Sequence, residues 1–438
     1  MVLGFAFVSP TTSALTVLRQ HQVRHAGGRV RRHFREHRHW ELASRTHQLV
    51  MRGCVAERSS EYFGSGAAVR NLQRLSLHPA PQFIGSEYGG NAEFGGKNGG
   101  TVLLWFRSDL RLDDNPALCA ALEEGASVLP VYCFDPRQFG KTSFGFEKTG
   151  RYRAKFLIES VADLRKALKK KGNNLLIRIG KPEEVIPDLC RKYEIKKVFY
   201  HQEVTYEELE CEEAVARKLE DMKVEVHPFW TNTLYAVEDL PFPVEETPDV
   251  YTEYRLAVES KSRVRDPLAA PDEIRAIPRH VEYGTLPTLE DLGLGQVPKT
   301  PEYGSASTAG SSLHHFRGGE SEAQQRLAQY VQDAKHALSV GGDVERAAAH
   351  LGADFSCKIS PWLALGCVSP RRIFAEIRDH ALNGAEGAQK STTFFELVWR
   401  DFFRLITYKY STSRLRKSER AAGMPHKASV AAAAPQAS

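Results

Sequence analysis

From residue 101 to residue 229 the chain alternates short apolar runs with longer amphipathic ones, and few folds accommodate that order. The apolar runs are TVLLWF (101–106), SVLPVYCF (127–134), NLLIRIG (174–180), KKVFYH (196–201) and KVEVHPF (223–229). Each has the length of a strand. Helix signals stand between them. One helix is expected around 116–124. In 151–171, Phe156, Leu157, Val161, Leu164 and Leu168 recur at helical spacing among Arg and Lys. Pro182 sits where a first helical turn tolerates proline, and 207–220 reads as a charged helix. Strands alternating with helices predict an α/β domain over 101–235, a doubly wound parallel sheet of Rossmann-like type. Ligands on such sheets usually sit beyond the carboxyl ends of the strands. No P-loop and no G-x-G-x-x-G follows the first run, which argues against a generic nucleotide-binding domain.

The flanks have a different character. Residues 1–100 contain no Asp, few Glu and many Arg, including the stretch RVRRHFREHRHW. That is the composition of an organelle transit peptide, which predicts a chloroplast or mitochondrial destination. A disordered basic arm and a mistranslated upstream region are the alternatives. GSEYGGNAEFGGKNGG (85–100) has no means of building a core and reads as a linker. Residues 236–320 are rich in proline and form a connector, with a helix expected only at 250–260. Helical periodicity returns over 321–412, best in 322–338, 369–382 and 392–410. The tail 413–438 collapses to Ala, Ser and Lys and is expected to be disordered.

Bulk properties exclude some classes. No apolar run approaches the roughly 20 residues that span a bilayer, so no membrane partner is expected. The seven cysteines are scattered, with no C-x-x-C pair, and read as reduced thiols that bind no metal. A net charge of +5 permits nucleic-acid binding without arguing for it.

Three segments carry a resemblance: WFRSDLRLDDNPAL (105–118), GADFSCKISPWLALGCVSPR (352–371) and FELVWRDFFRLI (395–406). In this order they resemble the photolyase/cryptochrome family of blue-light flavoproteins. DLPFPVEETPDVYTEYR (239–255) and FRGGESEAQQRLAQY (316–330) are similar to the cryptochrome DASH branch. The resemblance implies an N-terminal α/β antenna domain, a long linker and an all-α FAD-binding domain. It implies FAD as cofactor and an antenna chromophore, with 5,10-methenyltetrahydrofolate first among the candidates. It also implies light-dependent repair of cyclobutane pyrimidine dimers, preferentially in single-stranded DNA, by a monomer, with RNA as a further partner. Flipping a damaged base costs less where no second strand holds it.

Residue by residue, the resemblance places Ser356, Cys357, Lys358, Ile359 and Ser360 at the flavin diphosphate, with Arg400, Asp401 and Phe403 also on the flavin. Glu396 and Trp399 would line the damaged-base pocket, and Arg346 would approach flavin or DNA. Glu159 and Glu203 would hold the folate. No catalytic residue is assigned. Plainer readings stand beside these. Ser360-Pro361 is a good helix start. Arg400 could pair with Asp401 or Glu396. Glu396 and Trp399, three apart on one helix, could be core. The cations between Lys409 and Lys417 could track a phosphate backbone or belong to a solvated tail.

The chain also departs from the family. LSVGGDVERAAAHLG (338–352) has Asp343 where the family has a tyrosine, and Arg346 is out of register. Family members continue well past the WRDFF helix, so the helical domain is expected to be incomplete, as in a truncated gene model or a splice form. A non-catalytic photoreceptor or nucleic-acid binder, or an inactive fragment, are the competing functions.

Overall fold

The computed structural model describes residues 100–142, 144–296, 316–341, 359–380, 388–389 and 391–421. All of them fall within one compact unit. Five strands, β1 (Thr101–Phe106), β2 (Ser127–Phe134), β3 (Leu176–Ile179), β4 (Lys197–His201) and β5 (Glu225–Phe229), form one sheet of order β3-β2-β1-β4-β5. Every pairing is parallel. The chain builds outward from β1 to β3 on one side, then returns to lay β4 and β5 on the other. The direction therefore reverses at the β1/β4 boundary, where sheets of this kind usually offer a ligand a crevice beyond the strand ends.

Helices cover both faces. Val102, Leu104 and Phe106 point into one core with α1 (Pro116–Glu124) and α2 (Arg151–Lys170). Leu103 and Trp105 point into the other with α3 (Pro182–Tyr193) and α4 (Tyr206–Asp221). Strands flanked on both faces need no polar alternation, which explains why β2 is buried along its whole length. The expected α/β domain is therefore present. Trp105 and Phe106 end β1 as buried residues.

The described residues of the connector, 236–296 and 316–320, include regular structure despite the prolines. The connector carries α5 (Tyr251–Lys261), in accord with the helix expected there. Downstream it covers the β3 edge, where the Ile177 N–H donates to Tyr283 O at 2.8 Å. Gly284, at φ 69°, lies so close that a Cβ there would meet Ile177 O at 2.4 Å. An edge strand left bare would offer unpaired backbone groups.

The helical segment comprises α6 (Glu320–Gly341), α7 (Ser360–Ala364), α8 (Pro370–His380) and α9 (Thr392–Ala421). Two expectations need correction. Helix α7 does begin at Ser360-Pro361, but Ile359 rather than the Ser360 hydroxyl takes the cap position. Helix α9 does not stop near Tyr410, so residues 413–421 are not part of a disordered tail. Leu415 is buried, and the Arg414 guanidinium lies 4.2 Å from the Tyr206 ring centroid. These contacts with α4 hold a stretch whose composition alone looks like tail.

The loop between β1 and α1, within the segment 105–118 that carries the resemblance, joins the sheet to the helices. Arg111 is fully buried and donates to Asp114 O, Thr231 O, Asn232 Oδ1 and Gly366 O. Asp113 pairs with Arg372 at 2.6 Å and Asp114 with Arg371 at 2.6 Å. Glu320, at the start of α6, accepts the N–H groups of Leu112 and Asp113, both at 2.9 Å. Across this seam the apolar core is continuous, running from α2 to Trp362, Phe374, Phe394 and Leu397.

Candidate functional site

Helix α9 carries two different faces. Glu396 and Trp399 lie on the outer one, with Phe403 one turn further. Trp399 is 37% exposed and Phe403 39% exposed. The Trp399 indole meets Tyr251 of α5 edge-on, with centroids 4.3 Å apart, and Phe403 at 5.1 Å. Glu396 is half-buried, and burial raises its carboxyl above the ordinary value. A half-exposed ring beside a half-buried carboxylate is an unusual use of a long amphipathic helix, whose apolar residues normally face inward.

The buried side is mainly apolar, with Phe394, Leu397, Val398, Phe402 and Leu405, and carries a few polar groups among them. Arg400 donates to the carbonyls of Asn232 and Leu363, the second at 3.4 Å. It makes no ion pair among the described residues. Burial and the nearby Arg404 pull its guanidinium below the ordinary value. Asp401 is buried and accepts the N–H groups of Leu234 and Tyr235 on one oxygen, Oδ2, at 2.8 and 3.2 Å. Its Oδ1 has no partner among the described residues, and burial pushes the carboxyl up to about 7.

One turn on, Arg404 reaches the crevice at the β1/β4 boundary. Its Nη2 lies 3.2 Å from His201 Nε2 and 3.6 Å from Glu203. His201 is fully buried, and burial holds it neutral, pulled down to about 3. Asn232 Nδ2 approaches the same Nε2 at 3.1 Å. Arg404 and this amide can only donate, so Nε2 is the acceptor. On the other side of the ring, Nδ1 lies 2.7 Å from Thr231 Oγ1 and 3.4 Å from the Thr231 backbone nitrogen. Burial alone would raise Glu203, but Arg107 and Arg404 keep it a carboxylate well below its usual range. Arg107 packs over Trp105 at 4.7 Å and pairs with Glu212, which also accepts the Glu203 N–H at 2.8 Å. The crevice that a doubly wound sheet usually offers to a ligand is thus filled by the chain's own charges.

The expected residues scatter over this architecture. Ser356, Cys357, Lys358 and Arg346 lie outside the described residues, as does Asp343. Ile359 is buried and its carbonyl accepts from Trp362 and Leu363. Ser360 is partly exposed at the start of α7. Glu396, Trp399, Arg400, Asp401 and Phe403 are brought together on α9, with Trp399 and Phe403 exposed and Asp401 buried. Glu203 is buried beside Ser108, whose N–H it accepts at 3.2 Å. Glu159 on α2 accepts the Gly318 N–H at 3.0 Å and lies 3.8 Å from Lys155. Among the described residues the two glutamates have no partner in common. Lys409 is held by Asp249 and Thr247 O, both at 2.8 Å, and Arg416 lies 3.6 Å from Glu245. Sequence reasoning missed Arg404, His201 and Asn232, because nothing in their spacing says that they meet.

The DNA photolyase family model matches residues 102–272. Over 324 residues the chain is 42% identical to the Blue-light photoreceptor PHR2 of Arabidopsis thaliana, covering 72% of this chain and 70% of that protein. The chain belongs to the photolyase/cryptochrome family. Within it, the Cryptochrome DASH of Gloeobacter violaceus is 43% identical, over 71% of this chain and 59% of the relative. The chloroplastic/mitochondrial Cryptochrome DASH of Arabidopsis thaliana is 40% identical, over 72% of this chain and 54% of the relative. The crystal structure of a Synechocystis cryptochrome superposes with a TM-score of 0.59 at 38% identity, covering 72% of this chain and 62% of that one. The chain thus spans little more than half the length of these DASH relatives.

Proposed function

We propose that this photolyase/cryptochrome chain is a DASH-type blue-light flavoprotein that binds FAD against α9 and repairs cyclobutane pyrimidine dimers, preferentially in single-stranded DNA. The observation that carries the reading is the outer face of α9. There a half-buried carboxylate, Glu396, stands one turn from a half-exposed indole, Trp399. A carboxyl group can bond a pyrimidine edge and an indole can stack on the ring, which together suit an extruded base. Beneath them, Arg400 is a guanidinium met only by carbonyls among the described residues. Such a donor retains capacity for a phosphate or a flavin carbonyl oxygen, so the residues present suit the cofactor. Bound FAD would supply light-driven one-electron chemistry. The chain's own part is to hold the anion with Arg400, to keep α9 in place through Asp401 and Arg404, and to present Glu396 and Trp399.

The remaining elements of the reading follow the family. Ser356, Cys357, Lys358, Ile359 and Ser360 would complete the diphosphate contact. The antenna would be 5,10-methenyltetrahydrofolate, with Glu159 and Glu203 its weakest-supported ligands because both already hold backbone N–H groups. The protein would act as a monomer, with RNA as a second nucleic-acid partner. The Arg-rich residues 1–100 would direct it to a chloroplast or mitochondrion, in keeping with the names of its plant relatives.

A second reading is a non-catalytic blue-light photoreceptor. It is favoured by the 42% identity to a protein named a blue-light photoreceptor, over 70% of that protein's length. Gel filtration of the purified chain with FAD, followed by absorbance, tests both. Stoichiometric flavin with light-dependent dimer loss from a single-stranded oligonucleotide supports the first reading. Flavin without dimer loss supports the second. No bound flavin overturns both.

A further inference from the structure

The segment between β2 and α2 carries chemistry that the α9 site does not use. Residues 140–155 read GKTSFGFEKTGRYRAK, with five cations (Lys141, Lys148, Arg151, Arg153 and Lys155) against one carboxylate, Glu147. The segment is a small hairpin. Lys141 and Glu147 form an antiparallel bridge. Thr142 N–H donates to Phe146 O at 2.7 Å, Gly145 N–H to Thr142 O at 2.9 Å and Lys148 N–H to Gly140 O at 2.9 Å. Gly145, at φ 83°, supplies the left-handed residue of the turn.

This ordered backbone holds aromatic rings in water. Phe144 is 71% exposed, Phe146 is 73% exposed, and Tyr152 in the first turn of α2 is 58% exposed. Single exposed apolar side chains are ordinary, but here three exposed rings fall within nine positions. Cations interleave with them. Lys141 and Arg153 are exposed and in no ion pair among the described residues. Lys148 pairs with Glu207 at 2.9 Å, and the Arg151 guanidinium lies 5.7 Å from the Tyr152 ring centroid.

We propose that this hairpin and the start of α2 form a binding surface for single-stranded nucleic acid. Phe144, Phe146 and Tyr152 stack on bases, while Lys141, Arg153 and their neighbours meet phosphates. Every base has a flat face, so exposed rings bind single strands with little regard to sequence, and interleaved cations follow the backbone. The hairpin's own hydrogen bonds fix the platform in advance and lower the ordering cost of binding. A membrane surface fits less well. An interfacial element needs a continuous apolar face, whereas here Gly145 and then Glu147, Lys148 and Arg151 separate the rings along the chain. The surface lies on different elements from Glu396 and Trp399 and needs no flavin.

The test uses the intact chain and fluorescein-labelled oligothymidine and oligouridine of about 16 nucleotides, a length within the range of known single-strand sites. Fluorescence anisotropy is read at several salt concentrations. The doubly substituted Phe144→Ala, Phe146→Ala protein is expected to bind at least about tenfold more weakly, as loss of stacked bases requires. The Lys141→Ala, Arg153→Ala protein is expected to show a shallower salt dependence, by roughly one unit or more of log–log slope for two lost phosphate contacts. These side chains are exposed, so circular dichroism should not change. Unaltered affinity in the double Phe variant overturns the proposal. So does equal affinity for the matching duplex, or binding to phosphatidylserine vesicles that the Phe variant loses while its oligonucleotide affinity is unaltered. Binding that Trp399→Ala removes and the Phe variant keeps would move nucleic acid to α9, overturning this proposal and leaving the α9 reading intact.

Discussion

Arg371 donates Nε and Nη2 to the two carboxylate oxygens of Asp114, at 3.0 and 2.6 Å, across 257 positions of the chain. Asp114 is fully buried and sits at φ 51°, and its Oδ1 also accepts the Leu268 N–H at 2.9 Å. One carboxylate thereby ties together the β1–α1 loop, the connector and α8. A buried pair broken on one side leaves an uncompensated charge. Arg371→Met is expected to cost about 3–5 kcal/mol in urea denaturation. Adding Asp114→Asn should recover much of that loss, because the stranded charge is gone. A loss below about 1 kcal/mol would be that of a surface pair and would remove this residue from the seam.

Two glycines with similar dihedral angles should behave differently. Gly366 (φ 65°) lies against the β1–α1 loop, and a Cβ there would stand 2.0 Å from Ser108 O. Gly293 (φ 75°) has open space around it. Gly293→Ala should cost about 1–2 kcal/mol, the strain of a left-handed residue. Gly366→Ala should cost clearly more, since Ser108 and Asp109 must move. Parallel thermal melts compare them, and equal losses would mean that the seam is loose at Gly366.

Burial pushes the Glu320 carboxyl up to about 7. Its folded value lies above its unfolded one, so the folded state holds the proton more tightly. The stability it contributes is full below about pH 4.5 and is lost as the pH rises through 7. Glu320→Gln keeps one acceptor for Leu112 or Asp113 and cannot titrate. The variant should be less stable than the parent at pH 5 and closer to it at pH 8. Melting temperatures across this range check the sign, and a gap that widens toward pH 8 would contradict it.

If Arg400 holds the flavin, Arg400→Leu should weaken FAD at least about tenfold, the scale of a lost charge-assisted hydrogen bond. Trp399→Ala should leave flavin affinity within a factor of about two and lower dimer repair. Quenching of flavin fluorescence on titration measures the first effect. Equal affinity in Arg400→Leu would reduce Arg400 to a clamp on Asn232 and Leu363.

Much of this was legible in the sequence, for physical reasons. Apolar runs of strand length, joined by segments such as Phe156 to Leu168 at helical spacing, report burial directly, since the periodicity of a face is a property of local geometry. Glu396, Trp399 and Arg400 were legible as a group because they share one helix. Which of them turned outward was not. That depends on α5 and the Asn232 loop packing against α9, and neither neighbour is near it in sequence. The extent of α9 was misjudged for the same reason: residues 413–421 look like tail until Tyr206 and Leu415 are seen in contact with the rest.

The order of strands and helices, the burial of β2 and the family itself were determined by the sequence alone, because each rests on local pattern or on long contiguous motifs. Tertiary structure decided what the charged residues of those motifs do. Asp113, Asp114 and Glu320 close the seam between sheet and helices, and Arg404, His201 and Glu203 fill the crevice at the β1/β4 boundary. A charge has no period, and its role is set by the partner that folding brings to it. Here those partners arrive from up to 259 positions away.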